Sequence, residues 1–89
     1  MVRLFVRHNV SDYVTWRQHY DAFDAERRGM GVVAEAVYCA TDNPNDVTIT
    51  HDFETIEAAH AFGAAPRLRE VMTAAGVANE PTVWLTSPV

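Results

Sequence analysis

Four histidines, His8, His19, His51 and His60, are the side chains of this chain whose ordinary proton affinity lies near neutrality. Their settings differ. His8 closes an alternating run of Val2, Leu4 and Val6, and His51 closes a second run of Val47 and Ile49. An imidazole at the end of an apolar strand face needs a hydrogen-bond partner when it is buried. One reading is a satisfied structural residue at a sheet margin. The other is a polar group at the end of an apolar pocket, able to orient or deprotonate a ligand. On the second reading His8 and His51 are the candidate catalytic groups, and an unperturbed proton affinity near pH 6.5 suits that work. His60, near the inner side of a predicted helix that follows His51, is a candidate pocket residue, whereas His19 is expected in solvent.

Aromatic residues supply the second candidate set. Tyr13, Trp16, Tyr20 and Phe23 recur at helical spacing, with Arg27 continuing the stripe. Such a stripe most simply forms core. Set against small alanines and valines, however, Trp16, Tyr20 and Phe62 can line a gap that accepts a flat hydrophobic molecule, with His8 or His51 as its polar tip.

Other chemistry is excluded by simple counts. All seven basic residues are arginine, and the absence of lysine removes Schiff-base chemistry and a lysine-dependent phosphate loop. Gly29-Met30-Gly31 lacks the third glycine of a dinucleotide loop and precedes a strand, so it reads as a helix stop. Neither Ser11 nor Ser87 sits in a nucleophile elbow. Cys39 has no CxxC partner and reads as a packed thiol. No two histidines have the four-residue spacing of a helical metal pair, and no metal or organic cofactor is expected.

These side chains must be held by six elements. Val2–Val10 alternates as a strand. Ser11 or Asp12 can cap a helix that runs to Gly29, with Arg27 and Arg28 at its C-terminal end. Residues 32–40 form a second strand, residues 41–46 are dense in turn chemistry, and residues 47–53 form a third strand, so the two make a hairpin. Asp52 or Thr55 caps the next helix, Pro66 starts a second short one, and Gly76 stops it. Residues 82–86 are the last strand. Strand, helix, strand, strand, helix, strand is the split βαβ, ferredoxin-like order. The fold class is therefore α+β: a four-stranded antiparallel sheet with two helices on one face, one domain over residues 1–89. First and third strands are then antiparallel neighbours, which sets His8 and His51 near opposite ends of the sheet, too far apart to share a metal.

The sheet's second face is left uncovered. Thirteen alanines and twelve valines, against three leucines, fill a core of 89 residues thinly. A bare apolar sheet face is larger than a monomer usually leaves exposed, so a homodimer with sheets face to face is expected. A net charge of -5 without a basic run argues against nucleic acid. No leader and no apolar run of membrane length is read in the chain, and a cytoplasmic location with no membrane partner is expected.

Several segments together resemble a known family. Val6-Arg7-His8, Trp16, Asp42-Asn43-Pro44-Asn45-Asp46, Pro66-Arg67-Leu68-Arg69-Glu70 and Ala75-Gly76-Val77 resemble small bacterial proteins of the dimeric α+β barrel superfamily. Within it they are most similar to the antibiotic-biosynthesis-monooxygenase-like members, some labelled cyclases. The resemblance implies a pocket between helices and sheet in each protomer and a small hydrophobic, aromatic ligand. It also implies cofactor-independent monooxygenase or cyclase/isomerase activity. In the oxygenase version His8 or His51 deprotonates a phenol or enol, and Arg7 or Tyr38 stabilises the developing oxyanion. A non-catalytic ligand-binding or assembly module, and haem binding through one histidine, are the alternatives. The asparagine, tryptophan and histidine set of the haem-degrading branch finds no match in spacing.

Overall fold

A computed structural model describes residues 1–89 and has the expected element order. Strands β1 (Val2–Asn9), β2 (Ala34–Ala40), β3 (Asn43–Phe53) and β4 (Thr82–Thr86) form one antiparallel sheet in the order β2-β3-β1-β4. Helices α1 (Tyr13–Ala22), α2 (Asp24–Gly29), α3 (Ile56–Ala64) and α4 (Pro66–Ala74) make the two crossovers. The fold is the α+β, ferredoxin-like arrangement.

Local chemistry accounts for most element ends. Asp12 caps α1, its carboxylate accepting from the Thr15 backbone N–H at 3.0 Å and the Thr15 hydroxyl at 2.8 Å. Thr55 caps α3 by accepting from Ala58 N–H at 3.2 Å. Pro66 opens α4, where its missing N–H costs nothing. Gly76, at φ +85°, lets the chain turn after that helix.

Two boundaries differ from the sequence expectation. The first helical stretch is broken at Phe23 (φ -87°, ψ 0°), whose N–H donates to both His19 O and Tyr20 O. Phe23 at the break and Arg27 beyond it are both buried. The polar segment before the third strand is also mostly strand: β3 begins at Asn43, and only Thr41 and Asp42 make the turn, beside a register shift at Cys39 and Ala40. Asn43 closes a local turn, its Oδ1 accepting from Asn45 N–H at 3.0 Å, while Asn45 is spent on anchoring. Asn45 Oδ1 accepts from Tyr13 N–H at 3.0 Å, and Asn45 O accepts from Val10 N–H at 2.9 Å, tying β3 to the start of α1.

Alternation along the strands sorts the residues by face. Leu4, Val6, His8, Val47, Ile49, His51 and Phe53 are buried under the helices, packed with Trp16, Tyr20, Ala59 and Phe62. The opposite face differs from the bare apolar surface anticipated. Phe5 stacks on Trp84 at a centroid distance of 5.0 Å, and this pair is flanked by Arg3–Asp52 and Arg7–Asp46 ion pairs at 2.7 Å each. Charged cross-strand partners therefore frame an aromatic centre on that face.

Candidate functional site

Between the helices and the sheet lies an apolar cleft of about 40 Å3. The sheet contributes Val6, His8, Ile49 and His51, the first crossover contributes Trp16, Tyr20, Phe23 and Arg27, and the second contributes Phe62 with Leu68, Val71 and Met72 of α4. A void of that size holds about three waters at the ~10–15 Å3 each requires. It is well below the roughly 300–1,000 Å3 of a pocket that encloses a drug-sized molecule. No residue of α4 is fully buried, so this helix is the wall held by the least packing.

His8 and His51 both line the cleft, at 3% and 4% exposure. In the β1–β3 register His51 faces Leu4, four positions along the strand from His8. Four residues at ~3.3 Å each set the two backbones about 13 Å apart. One metal ion cannot bridge that distance, but two ends of one small ligand can meet both rings. Neither nitrogen of His8 has a hydrogen-bond partner, and His51 Nδ1 has none. The Tyr20 hydroxyl lies 3.5 Å from His51 Nε2, the long limit of a hydrogen bond. Around them the rings are in contact: Trp16 stacks on Tyr20 at 4.9 Å, His8 meets Trp16 edge-on at 5.9 Å, and His51 packs against Phe62 at 5.0 Å.

Burial decides the charge state of these groups. It pushes His8 down to about 4, with no charged neighbour contributing. His51 is pushed down to about 4 by burial first and by the Arg27 charge second, against a smaller opposing pull from Asp52. The Tyr20 hydroxyl is raised to about 12 by burial, with Arg27 opposing. At neutral pH the cleft therefore presents two neutral imidazoles, each able to accept a hydrogen bond but a weaker base than the free imidazole near 6.5 that the sequence led us to expect, and a protonated phenol.

Three of the eight sequence candidates lie elsewhere. Arg7 stands on the opposite face of the sheet, one residue out of phase with His8, and is engaged by Asp46. Tyr38 pairs with Thr48 in the β2–β3 ladder, on that same outer face, and is 58% exposed. His60 is exposed on α3, where Ala59 and Phe62 take the buried positions instead. The period of two in strands, and the choice of which arc of α3 meets the sheet, account for all three. Trp16, Tyr20 and Phe62 line the cleft with the two histidines. Arg27, read from the sequence as a helix-end cation, is 2% exposed and also lines it. Its place at the end of the Trp16, Tyr20, Phe23 stripe was the available signal.

The whole chain superimposes on several solved structures. A crystal structure of an antibiotic biosynthesis monooxygenase matches 100% of this chain and 99% of its own, with a TM-score of 0.77 at 13% identity. This chain shares the fold of that protein. SnoaB, a cofactor-independent oxygenase from Streptomyces nogalater, matches 98% of this chain and 91% of its own at 16% identity, with a TM-score of 0.77. The monooxygenase from the gene ActVA-Orf6 of Streptomyces coelicolor, in complex with nanaomycin D, matches 99% and 87% at 20% identity, with a TM-score of 0.72. No protein-family model matches the sequence, and no curated protein matches it. No helix is long and apolar enough to cross a membrane.

Proposed function

We propose that this chain binds a small aromatic molecule between its helices and sheet and acts on it by acid–base chemistry of its own side chains, as a cofactor-independent monooxygenase or a cyclase/isomerase. The observation that carries the reading is the pair of buried, neutral histidines in one apolar cleft, His8 with no hydrogen-bond partner and His51 with only the long contact to the Tyr20 hydroxyl. Unsatisfied buried imidazoles cost stability, and a ligand that engages them supplies the missing partner. The oxygenase named among the similar folds, and the complex of a monooxygenase of that fold with nanaomycin D, support the same direction.

The chemistry follows from the placement. A ligand ring enters by displacing Leu68 and Met72 of the weakly held α4 wall and lies against Trp16, Tyr20 and Phe62. His8 or His51 accepts the proton of a phenol or enol. The anion so formed is electron-rich at ring carbon and reacts with dioxygen. Oxidation of a ring CH2 to C=O with release of one water balances one dioxygen with no added reductant. In the isomerase version the same base moves a proton next to a carbonyl. The domain spans residues 1–89 and works as a homodimer, with the Phe5–Trp84 centre of one sheet against that of its partner.

Native mass spectrometry of the protein as isolated from cells tests the binding claim. A retained aromatic molecule that is lost in the His8→Leu and His51→Leu variants is the expected result. Retention unchanged in both variants would place the ligand outside the cleft and refute the reading. Oxygen uptake on presenting the retained molecule to the emptied protein then separates the oxygenase from the isomerase.

A further inference from the structure

Arg27 is the single arginine, lysine or carboxylate side chain among the residues that line the cleft, and no carboxylate faces it there. Its guanidinium is held by three contacts. Nη1 donates to the backbone carbonyl of Tyr20, Nη2 donates to Asp24 Oδ1 at 3.3 Å, and the guanidinium carbon stands 3.7 Å over the Tyr20 ring. Nε is buried with no partner. Asp24 is half-exposed, and it also reaches Arg28 at 3.6 Å, so its pairing with Arg27 is weak and shared. On its outer side Arg27 also borders an open cleft with Asp21 and Glu35, neither of which bonds it: Asp21 is engaged by Arg17 at 3.0 Å, and Glu35 Oε1 by Arg28 at 2.9 Å, with Glu35 Oε2 buried and unpartnered. A guanidinium keeps its charge when buried, and a buried charge with an incomplete set of partners is costly until an anion completes it. The cation stands on the His51 side of the cleft, at the end of the stacked Trp16 and Tyr20 rings.

We propose that Arg27 is the anion-recognition residue of the cleft, selecting flat aromatic ligands that carry an acidic oxygen, a carboxylate above all, over neutral ligands of the same shape. This rests on the reading of the cleft as a ligand site. It adds the substrate class: an aromatic acid, ring against Trp16 and Tyr20, acidic oxygen toward Nε of Arg27. The planar fork of donors suits a carboxylate, and a charged partner inside an apolar cleft acts with little screening. The same charge that lowers the basicity of His51 stabilises the negative oxygen beside it.

The test compares benzoate with benzamide, equal in shape and different in charge, by isothermal titration calorimetry. The expected result on the unaltered protein is benzoate tighter by about tenfold or more, the scale of one charge-assisted hydrogen bond. Arg27→Gln is expected to remove that preference, so that the two probes bind alike. In parallel, the Arg27 Nε–H resonance of the unaltered protein is expected to move on adding benzoate and to stay in place with benzamide. That readout needs no variant and holds if Arg27→Gln fails to fold. Equal binding of the two probes, an unmoved Nε–H resonance, or a preference kept in a folded Arg27→Gln variant would each overturn the role of Arg27 and leave the cleft reading standing. Neither probe binding at millimolar concentration would overturn both.

Discussion

Acidification from pH 7 to pH 5 should cost this protein a large part of its stability, through His8 and His51. Both are almost fully buried and held down to about 4, against 6.5 in the unfolded chain. A base whose folded proton affinity is depressed stays neutral in the native protein while the unfolded chain takes up the proton. Stability is therefore complete above about pH 6.5 and falls as the pH drops through the window from about 6.5 to about 4. At pH 5 the unfolded imidazole is almost fully protonated and the folded one almost fully neutral. The difference is worth about 2 kcal/mol per histidine and about 4 kcal/mol for the two. A chain of 89 residues is expected to have only about 4–13 kcal/mol in total. Carboxylates held low in the folded state, such as Asp46 paired with Arg7 and Asp52 paired with Arg3, act mainly below this window. Urea titration followed by circular dichroism, at fixed protein concentration, measures the loss. The His8→Leu, His51→Leu double variant should be nearly flat between pH 7 and pH 5. A loss below about 1 kcal/mol in the unaltered protein, or an equal loss in the double variant, would refute the assignment of the two imidazoles as buried and neutral.

Three further outcomes are expected. Phe62→Ala removes a ring that is 1% exposed and packed between His51 and Phe53; it should lower unfolding free energy by about 3–5 kcal/mol in urea titration. Gly76→Ala forces a side chain onto a residue at φ +85° and puts its Cβ 2.6 Å from Ser11 Oγ. It should cost about 2 kcal/mol, of which adding Ser11→Ala recovers only the steric part. Trp84→Glu, on the outer face of the edge strand β4 where it is exposed and stacks on Phe5, should shift the sedimentation mass from that of a dimer to 9.9 kDa. A 9.9 kDa mass for the unaltered protein would remove the dimer from the proposal.

Element order was legible in the sequence because its signals are local. The strand period of β1, the caps at Asp12 and Thr55, Pro66 and Gly76 each act within a few residues, and β4 begins and ends at the expected residues. The same alternation already placed His8 with the apolar face of β1 and Arg7 on the other. Extending the site to Arg7 and Tyr38 required those residues to cross the sheet, which a period of two forbids. The turn-rich segment before β3 was legible as polar but not as strand, because Asn45 satisfies distant backbone at the start of α1. Which arc of a helix meets the sheet is a matter of packing between layers. Ala59 and Phe62 rather than His60 face inward, and Arg27 at the end of the aromatic stripe is buried rather than solvated, only because the sheet lies where it does. Composition and spacing determined that any chemistry here runs on histidine, tyrosine, carboxylate and arginine. Burial, which sets the two imidazoles neutral and leaves one arginine incompletely paired beside them, was decided by the tertiary structure, because desolvation belongs to the assembled layers and to no single segment of the chain.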